Sequence, residues 1–244
     1  MPTDEMRRRR RSKQAMKRSQ QLFTFEDMGS SSPFVRTTWR TCSEPDPDES
    51  MISVAVSRWE IVVTRQAAGC WLTVRGPETK ASTAPIPRDA EFFGIQFDHG
   101  TYMPHLPMAQ LVDSSLTPPP ASLTSFWLDG STWEIPAPHN ADVFVDRLVR
   151  SGLLVHDPVV AAALHDDVAG LSPRSVERRV ARATGLTRGA IRQMARADRA
   201  VELLGHGVPA LEVARRTGYA DQPHMTRSLK RFVGQTPSQI AAGG

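Results

Sequence analysis

Pro209-Ala-Leu-Glu-Val-Ala-Arg-Arg-Thr-Gly-Tyr-Ala-Asp-Gln-Pro-His-Met-Thr-Arg-Ser-Leu-Lys-Arg-Phe-Val233 reads as a short helix, a tight turn and a second helix. Ala214 is small where two crossing helices touch, and four residues later Gly218 permits the positive φ of a turn. Asp221 stands where it caps the second helix. On that helix Met225, Leu229 and Phe232 recur at i, i+4 and i+7 and face inward. Gln222, Pro223, Thr226, Arg227 and Lys230 fall on the other side. Such a face suits a DNA major groove: Arg forks onto guanine, Gln onto adenine, and Lys meets phosphate.

The segment 172–183 repeats the design. Ser172-Pro173 is a cap followed by proline at the first helical position. Val176 and Val180 point inward, while Arg174, Arg178 and Arg182 form a basic stripe at i, i+4 and i+8. Between the two segments, 188–204 is a long amphipathic helix carrying Ile191, Met194, Ala197, Val201 and Leu204. From Pro158 onward the periodicity predicts helices over 159–166, 172–183, 188–204, 209–217 and 221–233, with a short one after Pro237. Gly185, Gly205 and Gly218 stop helices. Two reading heads joined by a stiff helix reach successive major grooves, one turn (~34 Å) apart.

Upstream of Pro158 the pattern changes. Met51–Val56, Trp59–Thr64, Cys70–Arg75 and Glu91–Phe97 are short runs rich in β-branched and aromatic residues, and so predict strands. Only Ser57 and Arg58 separate the first two, which leaves room for one longer strand. Prolines crowd 104–120. Asn140 to Leu154 turns helical, with Asn140 as cap and Val143, Phe144, Leu148 and Val149 as an apolar stripe. Asp157-Pro158 then breaks the chain. The expected organisation is a basic tail over 1–32, a β-rich domain over 33–156 and a helical domain over 157–244.

Charge follows the same division. Residues 171–244 hold thirteen Lys/Arg against five acids, net +8; residues 21–170 hold nine against nineteen, net −10. A basic module beside an acidic one indicates that only the former meets a polyanion. Arg7 to Arg11 is an unbroken basic block. It reads as a tail, a DNA-reaching arm, or sequence upstream of a later initiator at Met6, Met16 or Met28. No stretch suits a membrane span and no apolar run follows the basic N-terminus, so a cytoplasmic protein is expected. Cys42 and Cys70 lack metal-ligand spacing and read as reduced thiols. The separation of His99 and His105 does not suit a metal site, His165-Asp166-Asp167 reads as a solvated helix end, and no catalytic or phosphate-loop motif occurs. Neither metal nor cofactor is expected. The five tryptophans, Trp39, Trp59, Trp71, Trp127 and Trp133, all precede Pro158 and read as core before pocket.

The closest fit to a known pattern is Gly218-Tyr-Ala-Asp-Gln-Pro-His-Met-Thr-Arg-Ser-Leu-Lys-Arg-Phe-Val-Gly-Gln-Thr-Pro237. With Leu171–Arg178, Ala183–Thr187 and Arg196–Leu204, it makes residues 159–240 resemble the AraC-type (AraC/XylS) transcription regulators. The resemblance implies an α+β, two-domain protein. A β-rich, sensor-like N-terminal domain would precede an all-α C-terminal domain with two helix-turn-helix units. It implies base-reading positions at Arg174 and Arg178 in the first unit and at Gln222, His224 and Arg227 in the second. Ser175, Arg182, Pro223, Thr226 and Lys230 complete the expected DNA-contacting set. Implied partners are double-stranded DNA, a small-molecule effector whose residues stay unassigned, and RNA polymerase; a homodimer is compatible with it. One departure stands out: Asp166 lies where the family carries a small alanine before the first turn. The competing reading is an enzyme whose β-rich domain does the chemistry and is tethered to DNA. A binder driven by charge alone would not need Gln222 and Arg227 in a defined turn-helix frame.

Overall fold

Strand pairing in the N-terminal part starts from rows of β-branched and aromatic side chains. The computed structural model describes residues 26–43, 50–168 and 170–243; the Arg7–Arg11 block lies outside the described residues. The main antiparallel sheet runs, in spatial order, β1 (Glu26–Asp27), β2 (Val35–Cys42), β7 (Glu91–Phe97), β4 (Glu60–Gln66), β5 (Gly69–Arg75) and β9 (Ser115–Leu116). Register aligns Val74, Ile61 and Ile95 in one row and Leu72, Val63 and Phe93 in the next, all buried. Each such side chain stabilises the fold by roughly 1.5–3 kcal/mol relative to exposure. Where Trp39 of β2 lies opposite Gly94 of β7, a Cβ on Gly94 would stand 2.1 Å from the indole, so only glycine fits.

The two runs flanking Ser57 and Arg58 are separate strands. β3 (Ser50–Ser53) leaves the sheet and pairs with β6 (Ser82–Pro85) in a ribbon. Trp59, just before β4, turns inward, stacks on Phe97 at 4.0 Å and donates its indole N–H to the Thr101 carbonyl. A three-stranded sheet of β10 (Pro120–Ser122), β11 (Ser125–Leu128) and β12 (Ser131–Glu134) buries Phe126 and Trp133 but leaves Trp127 49% exposed. That exposure departs from the expected core role for Trp127.

Helix α1 (Ala141–Arg150) buries Phe144, Val145 and Leu148. It stops before Leu154, because Gly152 takes a positive φ and turns Leu153 and Leu154 into the core. Two expectations fail here. Val143 is 58% exposed, and the Asn140 carboxamide accepts from the Ala137 amide instead of capping helix donors. The tail expected through residue 32 also gives way to fixed structure at Glu26. β1 pairs with β2, and the Ser30 and Ser31 hydroxyls donate to Asp142 on α1, holding its carboxyl below the usual range.

β8 (Thr101–Tyr102) pairs with β13 (Val155–His156), and the chain then enters the helical part: α2 (Pro158–Leu164), α3 (Pro173–Thr184), α4 (Arg188–Gly205), α5 (Ala210–Arg216), α6 (Gln222–Phe232) and α7 (Pro237–Gly243). The passage is fastened at both sides. The Asp157 amide donates to the Gly100 carbonyl, and its carboxylate caps α2 at Val159. No helix among the described residues is long and apolar enough to cross a membrane.

A polar cluster links the sheet to α4. Arg58 approaches Asp98 at 3.5 Å and also feels Asp198 of α4, and His99 meets the Ser57 hydroxyl at 3.0 Å. Burial, with the Arg58 charge beside it, lowers the His99 pKa to about 4. The unfolded chain therefore takes up a proton at His99 near pH 6.5, while the folded chain does not until about pH 4. Stability should fall as pH drops through that window, by at most about 3 kcal/mol from this group. His99→Gln should flatten the pH dependence of the denaturation midpoint; an equally steep profile in the variant would place the titration elsewhere.

Candidate nucleic-acid interface

Helices α3, α4 and α6 each begin behind a side chain that accepts from their N-terminal donors. The Ser172 hydroxyl accepts from the Ser175 amide, Thr187 from Ala190, and Asp221 from His224 at 2.6 Å. Prolines at the starts of α3 and α6 remove a donor that would otherwise be left unpaired. Val176, Val180 and Ala183 of α3, Ile191, Met194, Ala197, Ala200 and Leu204 of α4, and Met225, Leu229 and Phe232 of α6 join one core. Val201, expected in the stripe of α4, is partly buried against it. Over 18 residues α4 spans about 27 Å and separates the two units.

The second unit has the expected geometry. Ala214 is 2% exposed at the α5–α6 crossing, and Gly218 holds φ +73 in the turn. Gln222, Pro223, His224, Arg227 and Lys230 are all exposed on α6. Thr226 is half-buried, and its hydroxyl donates back to the Gln222 carbonyl at 2.9 Å, which turns it toward the helix backbone. His224 sets its ring edge-on to Tyr219 at 5.2 Å.

The first unit is less regular. Residues 165–172 connect α2 to α3, against 217–221 in the second unit. Asp166 takes a left-handed φ of 60° and stays exposed, pairing with Arg192 at 2.5 Å and Arg188 at 3.5 Å on α4. The Arg192 hydrogen bond holds its carboxyl below the usual range. An acid is accommodated here because the side chain leaves the crossing for two arginines.

Arg174 and Arg178 are exposed on α3, and Ser175 is half-buried beside its cap. The stripe does not face open solvent along its length. Arg178, Arg179 and Arg182 form one wall of a cleft of about 690 Å³ whose other wall includes Tyr102, Pro104 and His156 of the β-rich part. The Arg182 guanidinium lies 5.2 Å over the Tyr102 ring, and Arg179 donates to both Asp157 oxygens at 3.0 and 3.1 Å. The structure also brings Arg192, Arg196 and Arg231 beside Arg227, a grouping absent from the residue-by-residue reading. The four-residue spacing of Arg192 and Arg196 on an amphipathic helix was the available signal. Arg215 and Arg216 lie apart from this group, held by Glu212, whose pKa is drawn down to about 2 by hydrogen bonds from both.

Residues 167–243 match the family of the helix-turn-helix domain. The HTH-type transcriptional regulator RipA of Corynebacterium glutamicum is 31% identical over 111 residues, which cover 45% of this chain and 32% of that protein. The match thus spans about a third of the relative's length. The solved structure of ToxT from Vibrio cholerae aligns over 91% of this chain and 97% of that one, at 9% identity and a TM-score of 0.37.

The Asp221 cap fixes where α6 begins, so Asp221→Ala should cost about 1 kcal/mol in chemical denaturation. Asp221→Asn should retain most of the stability. Equal stability of Asp221→Ala and the parent chain would show that the cap contributes nothing.

Proposed function

Residues 167–243 being an AraC-type helix-turn-helix domain, we propose that this protein is a sequence-specific regulator of transcription that binds double-stranded DNA through α3 and α6. The observation that carries the reading is the division of α6. Met225, Leu229 and Phe232 are buried, while Gln222, His224, Arg227 and Lys230 stand exposed behind a capped turn. Those side chains supply the donors and acceptors that base edges require. The proposed division is a regulatory unit over 33–156 and a reading unit over 157–244, with RNA polymerase as downstream partner.

Control through the β-rich part, by a small molecule or a protein partner, is the second half of the proposal. Its support is mechanical. The Ala55 amide donates to the Phe232 carbonyl and the Ala81 amide to the Arg231 carbonyl, both at 2.7 Å, at the end of α6. At the end of α3, a Cβ on Gly185 would stand 2.7 Å from the Met108 carbonyl, so the two backbones touch. A shift of these β-rich loops is felt at both reading helices.

A base-by-base specificity profile of the full chain tests the assignment. Arg227→Ala and Arg178→Ala should each lose about 1–3 kcal/mol and relax preference at one base pair. The two affected pairs should lie about 10 bp apart. Lys230→Ala should weaken all sequences alike. If Arg227→Ala lowers affinity uniformly and leaves the profile intact, Arg227 is a phosphate contact and the reading of α6 is wrong.

A further inference from the structure

Between the linker helix α4 and the side of α6 runs a cleft of about 430 Å³. Arg192 and Arg196 enter it from α4, and Arg227 and Arg231 from α6, with Tyr219 and His224 at one end. No carboxylate lines it among the described residues. Four guanidiniums lining one cleft repel one another; Asp166 answers Arg192, whereas among the described residues no acid pairs with Arg196, Arg227 or Arg231, which leaves these three to an anion from outside.

Two of the four are already aimed. The Arg196 guanidinium lies 5.4 Å over the Tyr219 ring and donates to the Gly218 carbonyl at 3.3 Å. Tyr219 is itself held, its hydroxyl 2.9 Å from that of Ser228. The Arg231 guanidinium lies 5.1 Å over Phe232, and its backbone carbonyl receives the Ala81 amide. A guanidinium held over a ring face by its cationic carbon still has N–H groups for the planar, two-point pairing that phosphate offers. Arg192 is held at the mouth by Asp166 at 2.5 Å, a contact that an entering phosphate would compete for.

We propose that this cleft grips the phosphates of one DNA strand beside the groove that α6 enters, with Arg196 and Arg231 as the principal contacts. The linker helix is then part of the interface as well as a spacer. The inference rests on the DNA-binding reading above and adds a site to it: contacts that set affinity and register but carry no base preference.

The test uses the full chain and a mixed-sequence duplex, with binding followed by fluorescence anisotropy across a salt series. Arg196→Gln and Arg231→Gln should each reduce the slope of log affinity against log salt by about 0.9, and together by about twice that. Both should leave the base-by-base profile unchanged. Arg215→Gln, a cation held by Glu212 outside the cleft, should keep the parent slope. Unchanged slopes in both cleft variants, with duplex binding retained, would overturn the proposal while leaving the function intact. A slope lowered as much by Arg215→Gln would overturn it too, since charge alone would then explain the effect. A parent chain that binds no duplex at low salt would sink the function and the cleft together. Inorganic phosphate, followed through the arginine side-chain N–H resonances, separates the sources of the anion: it should bind at Arg196 and Arg231 and be displaced by duplex. Phosphate and duplex binding together without competition would make this a site for a free anion and not for DNA.

Discussion

The last turn of α6 leaves carbonyls that its own helix cannot satisfy, and the β-rich part supplies the missing donors. Ala55 and Ala81 reach the carbonyls of Phe232 and Arg231 from separate loops. Unpaired helix ends near a protein interior are costly, so the contact is a structural requirement as well as a junction. Gly234, just beyond, carries φ +75 and would bring a Cβ to 3.0 Å from Ile52, which leaves little room for the two parts to slide. With the Met108–Gly185 contact at the end of α3, the β-rich part holds α3 and α6 each by its C-terminal end. The N-terminal ends and outer faces, where base edges would be met, stay clear of these two contacts. α4 sets how far apart the heads are, and the β-rich part sets how each is held.

Charge is segregated along the same line. Residues 171–244 carry net +8 and residues 21–170 net −10, and opposite net charges favour association of the two parts. The pairing is nevertheless specific, across the junction at Arg58 and within the helical part at Asp157 and Asp166. Arg58 stands between Asp98 and Asp198, Arg179 grips Asp157, and Asp166 holds Arg188 and Arg192. Acids thus occupy positions around α3 and α4, while among the described residues Arg196, Arg227, Lys230 and Arg231 have no ion-paired acid.

The helical part was legible because its signals are local. A 3.6-residue period, a capping side chain and a terminating glycine predicted 188–204 and 221–233, and the helices run Arg188–Gly205 and Gln222–Phe232. The N-terminal part was harder for a physical reason. β2 reads Val-Arg-Thr-Thr-Trp-Arg-Thr-Cys, more than half polar, and becomes a strand because β1 and β7 flank it. β8, β9 and β13 are two residues each, too short for any period to appear, and exist only through partners distant in sequence. The same limit hid the cleft. Arg196 and Arg231 are 35 residues apart, and only the crossing of α4 and α6 sets them side by side. Exposed residues on one helix can be grouped from sequence, whereas residues on crossing helices cannot.

Arg182 shows what such a crossing does to a side chain with two suitors. Its place on α3, one turn after Arg178, puts it in the basic stripe that the sequence directs at DNA. Its guanidinium instead lies on Tyr102 of β8, inside the cleft shared with the β-rich part. A guanidinium over that ring gives up the contact if it swings to a base edge, although its N–H groups remain open to an anion beside the ring. Under the proposed function, reading by Arg182 would require the Tyr102 contact to open, whereas among the described residues α6 meets no comparable contact along its outer face. The two units are unequal in this arrangement: the outer face of α6 is open, whereas α3 keeps Arg174 and Arg178 exposed but sets Arg182 on Tyr102. Under the proposed function, a movement of Tyr102 relative to α3 would free Arg182, and the short pairing of β8 with β13 places that tyrosine at the junction of the two parts.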